Sequence, residues 1–353
     1  MLELLNETAW RAGLFPGWDR ERQFQFTLVV KMGYRFDLDG GLEPLRPPAA
    51  IATADRHHGD PRASSLAEAT EIAPFKQGAE VLLTGTAHPP LADAVVMETE
   101  IGLRRRDGAS WNKVLRVFGP RVWRGTLLGT MPSFPETLQP TPLRYEYAFG
   151  GVDVKRRALE PRNPVGLGFA RHGRVAKGQA LPRIEQGPRF ITRPGNRPTP
   201  AGYGPLAPAW PPRNAAAPAD PGTPENDACP YGPEVPDALH NCAPLDQRFP
   251  HPFTGDETVM LRGFFAERPA PRQLALSLPG PRPAASLVVA GKHQPLALAC
   301  DTLLIDTDSR HIHLLWRGTA AWRPGDTRRG WVVLRESPRQ AETAPEHGGE
   351  AAA

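Results

Sequence analysis

Between Phe24 and Phe36 every even position is apolar: Phe24, Phe26, Leu28, Val30, Met32, Tyr34 and Phe36. The odd positions hold Gln25, Thr27, Lys31 and Arg35, with Val29 as the exception. A period of two over this length fits only a long β-strand, with one face on a core and a polar face turned toward water. Asp37-Leu38-Asp39-Gly40-Gly41 follows, and these residues suit a hairpin turn.

The pattern recurs along the chain. Val95, Met97, Thr99, Ile101 and Leu103 alternate with polar residues, Asp107-Gly108 supplies a turn, and Trp111, Lys113, Leu115 and Val117 return. Leu143, Tyr145, Tyr147 and Phe149 read as a further strand. So do 286–290, 295–299, 302–306, 311–316 and 331–334, with turns at Gly291-Lys292-His293 and at 306–309. No amphipathic helical stretch exceeds about ten residues. The fold class expected is all-β, mainly antiparallel and sandwich-like, with little helix.

Glycine (34) and proline (42) form about a fifth of the 353 residues, and proline is unevenly placed. Positions 1–130 hold 9 prolines, 131–253 hold 24 and 254–353 hold 9. Proline cannot donate to a sheet ladder, so the middle of the chain cannot be central strand. It nevertheless carries Phe169, Phe190, Tyr203, Trp210, Phe249 and Phe253, more aromatic content than a disordered linker keeps. One large domain over 1–335 is expected. It has a β part at 1–153, an ordered Pro/Gly-rich irregular insertion at 154–253 and a second β part at 254–335; 336–353 reads as a disordered tail.

The chemistry-bearing patterns are weak. Cys229, Cys242 and Cys300 are too few and too widely spaced for a disulfide framework, which fits a reducing compartment. The N-terminus has no signal-peptide pattern and no segment reaches the ~20 apolar residues of a membrane helix, so a cytoplasmic protein without membrane contact is expected. His57-His58-Gly59-Asp60 reads as a turn, and His240 with Cys242 is half a zinc site at best, so no metal and no cofactor are expected. His311 and His313 alternate with Ile312 and Leu314 and are expected to face solvent or a partner. Nucleophile-elbow and phosphate-loop motifs do not occur in the sequence.

The net charge is +4, but the stretch 153–197 carries eleven basic residues against three acidic ones. Arg156, Arg157, Arg162, Arg171, Arg174 and Lys177 form its candidate partner-binding patch, suited to an acidic protein surface. Only two aromatics lie there, which argues against nucleic acid.

An ordered set of phrases resembles a bacterial family, domain-of-unknown-function family 2169. They are Gly59-Asp60-Pro61 with Ser64-Ser65-Leu66; Ala73-Pro74-Phe75-Lys76 leading to 81–85; and Pro142–Gly151, whose Tyr145, Glu146, Phe149, Gly150 and Gly151 are the most specific. Asn163, Pro164, Gly166 and Gly168 follow, then Gly202-Tyr203-Gly204-Pro205, Asp246-Gln247 after Cys242, Asp256-Glu257, and Asp301-Thr302 after Cys300. The resemblance implies a non-enzymatic adaptor or chaperone that holds a type VI secretion effector and helps load it onto the valine–glycine-repeat (VgrG) spike or its PAAR tip. It supplies no catalytic residues. Two other functions stay open. A cell-wall glycan hydrolase would need some of Asp60, Glu146, Asp256, Glu257 and Asp301 to converge in one cleft. A carbohydrate-binding module would use exposed rings among Trp111, Trp123, Trp210 and Trp316.

Overall fold

The computed structural model describes residues 1–19, 23–74, 76–127, 129–188, 190–211, 213, 237–267, 271–322 and 328–337. The alternating stretch forms strand Phe24–Phe36 over its full expected span. It lies inside a seven-stranded sheet ordered Arg248–Phe249, Ala79–Thr84, Ala299–Asp306, His311–Ala321, Phe24–Phe36 and Arg11–Trp18, with Leu42–Pro44 paired to the end of Phe24–Phe36. Only Ala79–Thr84 and Ala299–Asp306 run parallel in this sheet. A five-stranded antiparallel sheet is ordered Ile184–Glu185, Ser110–Phe118, Val96–Arg104, Thr258–Arg262 and Leu274–Ser277. A four-stranded sheet is ordered Leu2–Asn6, Gly330–Ser337, Arg282–Val289 and Lys292–Leu296. The chain is thus all-β and mainly antiparallel. Among the described residues the helical elements are short 3-10 turns such as Tyr145–Tyr147 and Leu245–Gln247.

One core joins the three sheets. Leu28, Val30, Met32, Tyr34 and Phe36 of the long strand are buried with Ile101, Leu103, Leu115, Val117 and Leu261 of the five-stranded sheet. Leu287, Val332 and Leu334 of the four-stranded sheet belong to the same cluster. Each such side chain contributes about 1.5–3 kcal/mol on leaving water, and the alternation of period two aligns them on one face.

The opposite face of the long strand departs from expectation. Gln25, Thr27 and Lys31 are buried, not turned to water. Irregular chain covers this face of the sheet and supplies partners to Lys31 and Glu80, while Gln25 Nε2 is buried without one. Lys31 Nζ donates to Ala50 O at 2.9 Å and pairs with Glu71 at 2.6 Å, and Ala243 N donates to Glu80 at 2.9 Å. A binary pattern reports the chemistry of a face but not whether a loop with matching donors and acceptors lies over it. The same cover corrects the reading of His313. Burial, reinforced by Lys31, pushes its imidazole down to about 3, and its ring lies 6.0 Å from that of His311.

Three further expectations change. The alternation at 143–149 does not make a strand. Tyr145–Tyr147 is a 3-10 turn, because the Asn163 amide takes the Tyr145 and Phe149 carbonyls that a neighbouring strand would otherwise serve. Lys292 and His293, read as a turn, begin strand Lys292–Leu296. Glu336 and Ser337, assigned to the tail, pair with Pro283 and Arg282; residues 338–353 lie outside the described residues. So do 214–236 of the Pro-rich insertion, including Cys229. The parts of the insertion that are described (154–188, 190–211, 213 and 237–253) pack against the rest of the chain through Leu181, Ile184, Tyr203, Trp210, Cys242 and Ala243.

Candidate binding cleft

The site is best built from Lys113. It occupies the inward register of strand Ser110–Phe118 beside Leu115 and Val117 and is itself buried. An ammonium has three hydrogens to donate, and all three find acceptors: Gly202 O at 2.8 Å, Asp246 at 2.8 Å and Gln247 Oε1 at 2.7 Å. Burial pushes the amine down to about 8, with Asp246 opposing the shift. Gln247 in turn donates to Val81 O at 2.7 Å and Tyr203 O at 2.8 Å. The Tyr203 hydroxyl donates to Thr99 O at 2.8 Å, and burial pushes its ionisation well above the ordinary range. Lys113, Gln247 and Tyr203 therefore bind the five-stranded sheet to the edge of the seven-stranded one.

A second unit forms around Asn163, which is wholly buried. Its Nδ2 donates to Tyr145 O at 2.8 Å and Phe149 O at 3.0 Å, and Gly151 N donates to Asn163 O at 2.8 Å. Phe149–Gly150 pairs in parallel with Leu167–Gly168. Gly151 has φ +91, and a Cβ there would lie 2.2 Å from Gly166 O, so only glycine fits. Pro164 is half-buried in the same turn. Glu146 accepts from Ser65 N at 2.8 Å and Ser65 Oγ at 2.7 Å, which ties down the turn at 59–65.

Where these units meet, a cleft of about 700 Å³ opens. Lys113, Tyr145, Leu206 and Asp246 line it together with Arg162 and Arg197. Much of its remaining wall is proline: Pro188, Pro198, Pro200, Pro211 and Pro244. Leu245 at the cleft is 62% exposed. Tyr145, Arg162 and Asp246, three of the sequence candidates, are thus brought to one place.

The other candidates serve elsewhere. Asp301 forms a buried ion pair with Arg317, whose Nη2 also donates to Glu71 O at 2.7 Å. Thr302 Oγ1 donates to Asp301 at 2.7 Å and accepts from Lys76 at 2.9 Å. Burial raises the Glu80 carboxyl, but its ion pair with Lys76 and the Ala243 N–H outweigh that and hold it below the ordinary value. Glu257 accepts from Thr254 N at 2.7 Å and Gly255 N at 2.9 Å, and Asp256 pairs with Arg106 at 2.9 Å. Asp60 accepts from Arg62 N at 2.9 Å within its own turn. None of Asp60, Glu146, Asp256, Glu257 or Asp301 lines the 700 Å³ cleft. Trp123, Trp210 and Trp316 are buried, and the half-buried Trp111 stands edge-on to Phe249.

The basic patch divides in two. Arg156 pairs with Asp153 at 2.9 Å and Arg162 with Glu160 at 2.7 Å. Arg157, Arg171, Arg174 and Lys177 are exposed. Among the described residues no group of three or more His, Cys, Asp or Glu is placed to hold a metal, and no helix is long and apolar enough to cross a membrane. Sequence reasoning missed Lys113, Lys31 and Glu71, and noted Arg317 only within a phrase resembling the family. Lys113 left a trace, since it is one of only six lysines and stands at an apolar register.

The profile of one bacterial family, described as an uncharacterized protein conserved in bacteria (DUF2169), matches residues 21–317. The chain belongs to that family. No curated protein and no solved structure matches it. The segments Pro142–Gly151, 163–168, 202–205 and 242–247, which lie within the matched range, are those whose hydrogen bonds assemble the Asn163 and Lys113 units.

Proposed function

We propose that this chain is a non-enzymatic cytoplasmic adaptor that grips another polypeptide. Its cargo is a type VI secretion effector, which it helps load onto the VgrG spike or its PAAR tip. The observation that carries this reading is the proline-walled cleft over a saturated floor. Proline rings hold a concave apolar surface in shape and lower the entropy lost on binding. At 700 Å³ the cleft suits a few residues of extended chain. Lys113, the nearest amine to a nucleophile there, has every hydrogen committed to the scaffold. A floor committed in this way supports a role in binding.

Co-expression with a type VI secretion effector and its spike protein tests the reading. The adaptor should co-purify with the effector, and its deletion should lower the effector's level or stop its export. Unaffected export with no complex refutes it. Turnover by the purified chain, abolished when Asp246 is neutralised, refutes it as well.

A further inference from the structure

Away from the cleft, three segments join into one surface. The hairpin of Trp123–Thr126 and Gly129–Pro132 is bound at its base to 178–179, with Gly178 N donating to Trp123 O and Trp123 N to Gln179 O, both at 2.9 Å. The hairpin Val152–Asp153 and Ala158–Leu159 is bound to 171–174. Arg171 N donates to Asp153 at 3.0 Å and Arg156 to Arg174 O at 3.1 Å.

This surface is unusual on two counts. Leu127 is fully exposed, Phe134 is 80% exposed and Val154 79% exposed, with Val152 and Met131 also open to solvent. Water contact at that many large apolar groups on joined segments marks an interaction site. Its acids are also already spent. Asp153 is held below the ordinary carboxyl range by Arg156 and by backbone N–H groups, and Glu160 is held bidentate by Arg162. The side chains of Lys155, Arg157, Arg171, Arg174 and Lys177 have no carboxylate partner among the described residues. Five uncompensated cations lie among exposed apolar groups.

We propose that this face is a second docking surface and that it receives an acidic, amphipathic segment of a protein partner. Carboxylates of that segment meet the free cations, and its apolar side chains cover Val154 and the 123–132 hairpin. A recess of about 300 Å³ between 152–156 and 174–179, lined in part by Val154, Phe169 and Val175, favours a polypeptide. A side chain can enter it, whereas a bilayer surface or a nucleic-acid backbone cannot. The partner's role as cargo rests on the adaptor reading above; the surface itself does not.

The test uses the full chain and fluorescein-labelled peptides in an anisotropy titration. A short Glu/Leu peptide with leucines at helical spacing should bind, and binding should weaken steeply from roughly 50 to 300 mM salt. Its Lys/Leu counterpart and a poly-Glu peptide should bind at least roughly tenfold more weakly. The triple variant R157E/R174E/K177E should lose roughly tenfold or more in affinity for the Glu/Leu peptide. Leu127→Ser with Phe134→Ser should lose a comparable factor with less salt dependence. These side chains are exposed and unpaired, so the thermal midpoint should not move. Equal binding of poly-Glu, unchanged affinity in either variant, or binding only to anionic vesicles or to an oligonucleotide overturns the proposal. Effector co-purification separates the two readings. If the wild type captures no effector, the adaptor reading fails. If the triple variant captures as well as the wild type, only the second surface fails.

Discussion

Replacing Lys113 by methionine isolates the energetics of the cleft floor. Two contributions oppose one another near neutral pH. The variant leaves Gly202 O and Gln247 Oε1 buried without their donor, a loss of about 2–4 kcal/mol. It also removes a desolvated charge. The amine's ordinary value is 10.5 and its folded value about 8, so holding that charge at neutral pH costs about 3 kcal/mol. The variant and the wild type should therefore differ little near pH 7. The pH dependence decides the matter. Between pH 8 and 10.5 the unfolded lysine keeps its proton while the folded one has released it, so wild-type stability gains with rising pH. Between about pH 7 and pH 9.5 the gain is about 2 kcal/mol. The variant lacks it, while every other titrating group is common to both proteins. Urea unfolding followed by tryptophan fluorescence at the two pH values should show the gap widening in favour of the wild type. A gap that stays constant or narrows would refute the placement of a desolvated, saturated amine at this point.

Other perturbations address the remaining units. Arg317→Ala strands the buried Asp301 carboxylate and should cost about 3–5 kcal/mol in urea unfolding; a loss under 1 kcal/mol would remove it from the scaffold. Asn163→Ala deletes two buried donors to backbone carbonyls and should cost about 2–3 kcal/mol, with 142–168 becoming accessible to protease. Glu146→Gln weakens the grip on Ser65 and should cost about 1–2 kcal/mol, mapped by hydrogen exchange at 59–65. Burial pushes the Cys242 thiol up to about 12, with Glu80 adding to the shift, and holds Cys300 well above its ordinary range. Both should resist iodoacetamide at neutral pH until the protein unfolds; rapid alkylation of either in the folded protein contradicts their burial.

The strands were legible where one face is apolar and the other polar, as at Phe24–Phe36, Val96–Arg104 and Ser110–Phe118. Legibility failed where side chains answer backbone across long separations. Nothing local to Tyr145 announces that Asn163 will take its carbonyl and keep the segment out of a sheet. Nor does Lys31 reveal that Glu71, forty residues on, lies over its strand. The short strands Leu2–Asn6, Thr258–Arg262 and Leu274–Ser277 carry too few residues to show a period, and pairing alone defines them. The cleft was half visible: its family phrases stood out, but Lys113 stood out only as a charge at an apolar register. Composition located the basic stretch and could not say that Arg156 and Arg162 are consumed internally while Arg157, Arg174 and Lys177 are not.

Leu2–Asn6 lies parallel to Gly330–Ser337, from Leu2 opposite Gly330 to Asn6 opposite Leu334. During synthesis Leu2–Asn6 therefore leaves the ribosome long before the strand that pairs with it. Until then the hydrogen-bonding edge that Gly330–Ser337 will fill stays open and adhesive, the kind of exposed edge that invites wrong pairing while a chain is still incomplete.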